Sequence, residues 1–101
     1  MATKISKNDV GTVIRISVKE NDAVFNASAA TVKTLFLKTP NGVVVRKSAL
    51  FYTDGTDGVC EYTTITGDLH ESGRWSGQLY LEFPNGRWYT SMFSFVVEDT
   101  L

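Results

Sequence analysis

Gly73-Arg74-Trp75-Ser76-Gly77-Gln78-Leu79-Tyr80-Leu81-Glu82-Phe83, then Pro84-Asn85-Gly86, then Arg87-Trp88-Tyr89-Thr90-Ser91-Met92-Phe93-Ser94-Phe95-Val96-Val97, is the stretch on which the fold turns. Two runs rich in aromatic and branched residues flank a tight turn, which is the pattern of a β-hairpin. In the first arm Trp75, Gly77, Leu79, Leu81 and Phe83 share one face, and Ser76, Gln78, Tyr80 and Glu82 share the other. In the second arm Tyr89, Ser91, Phe93, Phe95 and Val97 alternate with Trp88, Thr90, Met92, Ser94 and Glu98. Period-two alternation means that one face packs while the other meets water. The hairpin therefore has an aromatic inner face, which a second sheet must cover.

The rest of the chain supplies that cover. Residues 11–20 alternate Thr12, Ile14, Ile16 and Val18 against Val13, Arg15, Ser17 and Lys19, a strand that Asn21-Asp22 ends as a turn. Residues 26–30 are small and too few to form a stable helix, so they read as a crossover loop. Residues 31–39 form a strand with imperfect alternation. Val32 and Phe36 share one face, and Leu35 and Leu37 share the other, so either a bulge shifts the register or both faces are covered. Pro40-Asn41-Gly42 repeats the Pro84-Asn85-Gly86 turn, and residues 43–52 return as a β-branched run. Residues 53–58 are a loop. Residues 59–64 are a strand with Cys60 and Tyr62 inward, and the connector 65–72 offers Leu69 to the core. The sum is an all-β chain, a single Ig-like antiparallel β-sandwich of about seven strands over residues 9–98, with a small Greek-key barrel as the alternative. Residues 1–8 read as a flexible N-terminal arm, with a short edge strand as the alternative, and 99–101 as a short tail.

Length and composition bound the function. A chain of 101 residues makes one domain that buries a usable core without metal or disulfide. The net charge of −1 gives no electrostatic footprint for nucleic acid. No apolar run reaches the roughly 20 residues that span a bilayer, and no signal-peptide pattern follows Met1. The single cysteine, Cys60, permits no internal disulfide and points to a reducing compartment. Its apolar context makes it a small core residue rather than a reactive thiol.

No constellation supports catalysis. His70, the one histidine, sits on the connector beside Asp68, Glu71 and Ser72, without the geometry that a nucleophile and base require. Asp54 and Asp57 faintly resemble a calcium loop but lack its further oxygen ligands and closing Glu, so they read as turn formers. No catalytic, cofactor-binding or metal-ligating residue is assigned. Arg74-Trp75 and Arg87-Trp88 give only a weak version of a stacking surface for nucleic acid. The residues that stand out are Tyr80, Trp88 and Met92, which alternation places on the face opposite the core. Exposed aromatics and Met in one group mark a protein interface. Two alternatives stay open: a register displaced by one residue, which would pack Trp88 against the loop at 26–30, or a platform at Trp88 and Tyr89, where the strand begins after the turn, on which a sugar stacks.

The order of segments carries a resemblance. Asp9-x-Gly11-Thr12 opens a strand, and Asn26-Ala27-Ser28-Ala29-Ala30-Thr31-Val32 leads into another. Lys38-Thr39-Pro40-Asn41-Gly42, Gly58-Val59-Cys60-Glu61-Tyr62 and Asp68-Leu69-x-x-Ser72-Gly73-x-Trp75 follow. Glu82-Phe83-Pro84-Asn85-Gly86-x-Trp88-Tyr89-Thr90-Ser91 closes the series. From about residue 9 to 97 the chain resembles the small Ig-like proteins and domains of tailed bacteriophages, among them the N-terminal domains of siphophage baseplate upper proteins. The resemblance implies a non-enzymatic structural protein of the virion, in tail, baseplate, collar or capsid decoration, assembled in the bacterial cytoplasm. Its partners would be other virion structural proteins, with copies arranged on a symmetric particle. It implies no cofactor and no catalytic residue. The chain stops after the sandwich, without a helical linker or host-binding domain, so an adaptor, cement or decoration role is expected. A carbohydrate-binding or adhesive module at the host surface is the alternative.

Overall fold

A computed structural model describes residues 5–20, 23–90 and 92–99. Among them the chain forms strands and no helix: β1 (Ile5–Ser6), β2 (Val13–Ser17), β3 (Lys19–Glu20), β4 (Ala23–Val24), β5 (Val32–Lys38), β6 (Val44–Ser48), β7 (Leu50–Phe51), β8 (Val59–Thr63), β9 (Gly73–Phe83), β10 (Gly86–Tyr89) and β11 (Phe93–Glu98). The larger sheet has the order β1-β11-β9-β5-β6, with β10 also on β9. The smaller sheet is β2-β8-β7, and β3 with β4 makes a two-stranded ribbon. The chain is thus all-β, as its alternation predicts.

The strand segments outnumber the seven expected because irregular points divide the longer runs. The run over residues 43–52 breaks at Ala49, where the chain leaves the larger sheet after β6 and enters the smaller one as β7. Ala49 is buried, and its amide donates to the Lys33 carbonyl at 2.9 Å. A small side chain lets the corner sit against β5. The antiparallel expectation needs one amendment, since β1 pairs with β11 in parallel. Of the arm expected over residues 1–8, residues 5 and 6 form this edge strand, and the Lys7 and Asn8 amides bond the Glu98 and Leu69 carbonyls at 2.7 Å each. Residues 1–4 of that arm, the Asn21-Asp22 turn, Ser91, and residues 100–101 of the tail lie outside the described residues.

β9 is the spine of the fold. It pairs with β5 along one side, and with β11 and then β10 along the other. Trp75, Leu79 and Leu81 point inward from it and are buried with Leu35 and Leu37 of β5 and Val97 of β11. Ile14, Ile16 and Cys60 close the core from the smaller sheet, and Leu69 plugs it from the connector with no exposed surface. Burial pushes the Cys60 thiol pKa upward, away from thiolate chemistry. A Cβ on Gly77 would collide with the ring of Phe93, its cross-strand partner, so the aromatic fills the place a side chain would take. β5 keeps an unbroken register with β9 from Val32 to Lys38. No bulge accounts for its two apolar faces: Leu35 and Leu37 enter the core, and Phe36 packs on the outside.

The two Pro-Asn-Gly turns differ. In the first, Gly42 has φ +91°, and its amide bonds the Thr39 carbonyl at 2.9 Å, giving a three-residue loop with glycine in the left-handed position. In the second, Phe83 pairs directly with Gly86, leaving a two-residue loop of Pro84 and Asn85. The pairing register, rather than the tripeptide, sets the loop length.

A polar staple ties the two sheets at the connector. Asp68 accepts an ion pair from Lys47 of β6 at 2.8 Å, a hydrogen bond from the Tyr62 hydroxyl of β8, and another from the Ile65 amide at 2.8 Å. Burial alone would raise the Asp68 pKa. The donors from Lys47, Tyr62 and Ile65 outweigh it and hold the carboxyl below its usual value. Burial and the Asp68 hydrogen bond push Tyr62 up to about 12. Asp68 stabilises the fold above its ordinary pKa, and that contribution is lost as pH falls through its lowered folded value. Tyr62 contributes below its ordinary pKa, and its share is lost as pH rises toward about 12. Replacing Asp68 by Ala strands the Tyr62 and Ile65 donors, with an expected cost of about 1–3 kcal/mol at neutral pH. Urea midpoints measured across the acid range should flatten in Asp68→Ala. An unchanged acid slope would show that the staple is not the titrating element.

Candidate functional site

Three exposed large apolar side chains of the hairpin gather around β10: Trp88 at 51%, Tyr89 at 60% and Met92 at 74% exposure. Their placement departs from simple alternation. Tyr89 faces Tyr80 while Phe93 faces Gly77, so four steps along the returning arm match three on β9. One extra residue between Tyr89 and Phe93 makes a bulge, and a one-residue slip turns every preceding side chain to the other face. Gln78 and Thr90 brace the irregularity. The Thr90 amide donates to the Leu79 carbonyl at 2.9 Å, the Thr90 hydroxyl accepts from the Leu79 amide at 3.0 Å, and Gln78 Nε2 donates to the Thr90 carbonyl at 2.8 Å.

The expected group of Tyr80, Trp88 and Met92 on one outer face is therefore corrected. Trp88 pairs with Leu81 on the inner face, and Tyr89 joins Tyr80 on the outer one. The displaced register considered for Trp88 is the arrangement found, and it brings the indole onto Phe83 and Gly86. The ring packs edge-on against Phe83 at 5.3 Å and lies over Gly86, where a Cβ would come within 2.9 Å of it. Alternation puts Tyr89 on the inner face, and only the platform reading, which pairs it with Trp88 at the strand start, singled it out; the structure turns it outward beside Tyr80.

Two depressions flank β10. On the inner side a groove of ≈ 690 Å³ opens between the sheets, walled by Ile16, Val18, Phe25, Phe83, Trp88 and Phe93. Phe25 and Phe83 meet edge-to-face at 5.7 Å in it. On the outer side a dish of ≈ 350 Å³ is lined by Phe36, Val44, Gln78, Tyr89 and Met92. Tyr80 and Tyr89 are 4.9 Å apart there, and Phe36 lies 6.2 Å from Tyr89 and 6.4 Å from Tyr80. Met92 borders both depressions. The Tyr80 hydroxyl donates to Glu82 at 2.7 Å, which raises the Tyr80 pKa above its ordinary value. The cations around the two depressions are Arg15 and Lys19 at the groove and Lys38 and Arg46 at the dish, and among the described residues no carboxylate lines either.

The family comparison matches residues 2–101 to the BppU N-terminal domain. The chain belongs to the family of BppU (baseplate upper protein) N-terminal domains. Membership makes it a component of the structural class of phage baseplate proteins, and the resemblance read from its segment order points to the same family. No curated protein matches the chain.

Of the other polar positions, Asp54 and Asp57 brace their own loop, and His70 stands exposed on the connector. Asp54 accepts from the Thr56 amide at 3.0 Å and the Thr56 hydroxyl at 2.6 Å, bonds that lower its pKa. Asp57 accepts from the Thr53 hydroxyl at 2.9 Å and the Val59 amide at 3.0 Å. Both acids are thus bonded within their own loop. His70 is exposed, with Nδ1 at 3.2 Å from the Gly67 carbonyl and its ring edge-on to Trp75 at 5.9 Å. Among the described residues no group of three His, Cys, Asp or Glu is arranged to hold a metal ion, and no helix is long and apolar enough to cross a membrane.

Proposed function

We propose that this BppU-type domain is an Ig-like adaptor of a tailed-phage baseplate, and that it docks other virion proteins through the β10 edge, with Tyr80, Trp88, Tyr89 and Met92 as contacts. One observation carries the reading. Large apolar side chains cluster on both faces of a single edge strand, where a soluble surface otherwise places polar ones. Trp and Tyr in such settings supply most of an interface's binding energy. Repetition around a symmetric particle then multiplies a modest contact into a durable one.

Trp88→Ala and Tyr89→Ala are each expected to lower incorporation into assembled particles by about tenfold or more, as truncation of a central interface aromatic does. Their melting temperatures should stay near that of the parent, because both side chains are half exposed. Incorporation at the parental level in both variants would remove this edge from the assembly contact. The adhesive reading rests on the outer cluster of Phe36, Tyr80 and Tyr89 beside Gln78 and Arg46. Glycan-array binding that is lost in Tyr89→Ala while incorporation persists would favour it.

A further inference from the structure

β10 pairs with β9 along one side, and among the described strands it has no neighbour on the other. Phe83 and Gly86 close the two-residue turn, so the hydrogen-bonded positions of β10 are Gly86 and Trp88. The amides and carbonyls of Arg87 and Tyr89 consequently point to the open side. An open edge is a template for a further strand. This one differs from a bare edge in having a receptacle on each face: the groove beside Trp88 and the dish beside Tyr89.

The charge pattern selects the occupant. Arg15, Lys19, Lys38 and Arg46 line the depressions, and Arg87 stands on the strand itself. Arg15 is paired with Glu61 at 3.0 Å, whereas Lys19, Lys38 and Arg46 have no carboxylate partner among the described residues. Glu82, opposite Arg87 in the register, accepts from Tyr80. A second copy of this chain would bring the same cations against themselves, which like-charge repulsion disfavours.

We infer that the β10 edge accepts an extended, carboxylate-bearing segment of a neighbouring baseplate protein as an added strand. Its alternate side chains enter the inter-sheet groove and the outer dish, because successive residues of a strand face opposite ways. Its backbone bonds the Arg87 and Tyr89 peptide groups, and its acids meet Lys19, Lys38 and Arg46. The inference rests on the docking reading above and specifies both the mode and the partner's chemistry.

The deciding experiment is amide hydrogen exchange on the full chain, free in solution and within assembled baseplates. Strand addition is expected to slow exchange at Arg87 and Tyr89 by about tenfold or more, while the Trp88 amide, already bonded to β9, changes little. Unchanged exchange at Arg87 and Tyr89 in baseplates overturns strand addition. If Trp88→Ala still loses incorporation in that case, the docking reading survives without it. If incorporation also persists in Trp88→Ala and Tyr89→Ala, both fail. The double variant Lys38→Glu, Arg46→Glu tests the charge, with an expected fall in incorporation of about tenfold. A gain would overturn the acidic partner. Light scattering of the purified chain separates the remaining occupant: a dimer with protected Arg87 and Tyr89 amides would replace the neighbouring protein with a second copy.

Discussion

Trp75→Ala is expected to lower the unfolding free energy by about 3–5 kcal/mol, the usual cost of deleting a fully buried large aromatic. Trp75 has no exposed surface and sits near the start of β9, the spine of the larger sheet, opposite Phe95. Its ring stacks on Phe95 of β11 at 6.1 Å with an interplanar angle of 18°, and its Nε1 donates to the Glu71 carbonyl at 2.9 Å. One truncation therefore opens a cavity in the core, removes an aromatic stack, and strands a partly buried carbonyl. The stack continues from Phe95 to Phe93 at 6.3 Å, and Phe93 covers Gly77 and walls the groove beside Trp88. Loss of Trp75 should thus loosen the docking edge as well as the core. Urea unfolding measures it. A domain of this size has only about 5–15 kcal/mol in total, so the variant should lose a large fraction of its stability. A loss under about 1 kcal/mol would mean the surrounding rings collapse into the space, and the assignment of Trp75 as the core anchor would be wrong.

Gly58→Ala is expected to be nearly as damaging, for a backbone reason. Gly58 has φ +70°, and a Cβ there would lie 2.5 Å from the Phe25 carbonyl oxygen and 2.7 Å from that of Val18. The left-handed conformation costs a side-chain-bearing residue about 1–2 kcal/mol. Displacing two carbonyls adds about 1–3 kcal/mol of overpacking. Neither oxygen is the flexible end of a side chain, so no rotamer relieves the contact. The Gly58 carbonyl also accepts the Val18 amide at 2.7 Å, and the Val18 carbonyl accepts the Phe25 amide at 3.2 Å, so the strain reaches Phe25 in the groove. Gly42→Ala is the control. Its φ is +91°, but an added Cβ meets nothing within 4 Å, so only the conformational cost remains. Thermal melts of the two variants should differ by several degrees. Equal melting temperatures would show that the crossing of Val18 and Phe25 over Gly58 is not tight.

The core was legible in the sequence because it follows from alternation along continuous strands. Trp75, Leu79 and Leu81, Ile14 and Ile16, Cys60, and Leu69 on its connector all lie inside. Period two demands only that the strand stay regular, and β9 does so for its whole length. The turn at Pro84 and Asn85 was likewise readable from its local chemistry.

What the sequence could not determine is wherever regularity breaks. The bulge between Tyr89 and Phe93 exchanges the faces of Trp88 and Tyr89, yet it is fixed by the pairing of β9 with two successive strands and by Gln78 reaching the Thr90 carbonyl. The switch of sheets at Ala49, the parallel pairing of Ile5 and Ser6 with β11, and the staple from Lys47 through Asp68 to Tyr62 are also contacts between distant segments. Local pattern fixed which residues shun water. Only the tertiary pairing decided on which side of the docking edge each exposed aromatic stands, because a single unpaired residue inverts a strand's two faces without altering its composition.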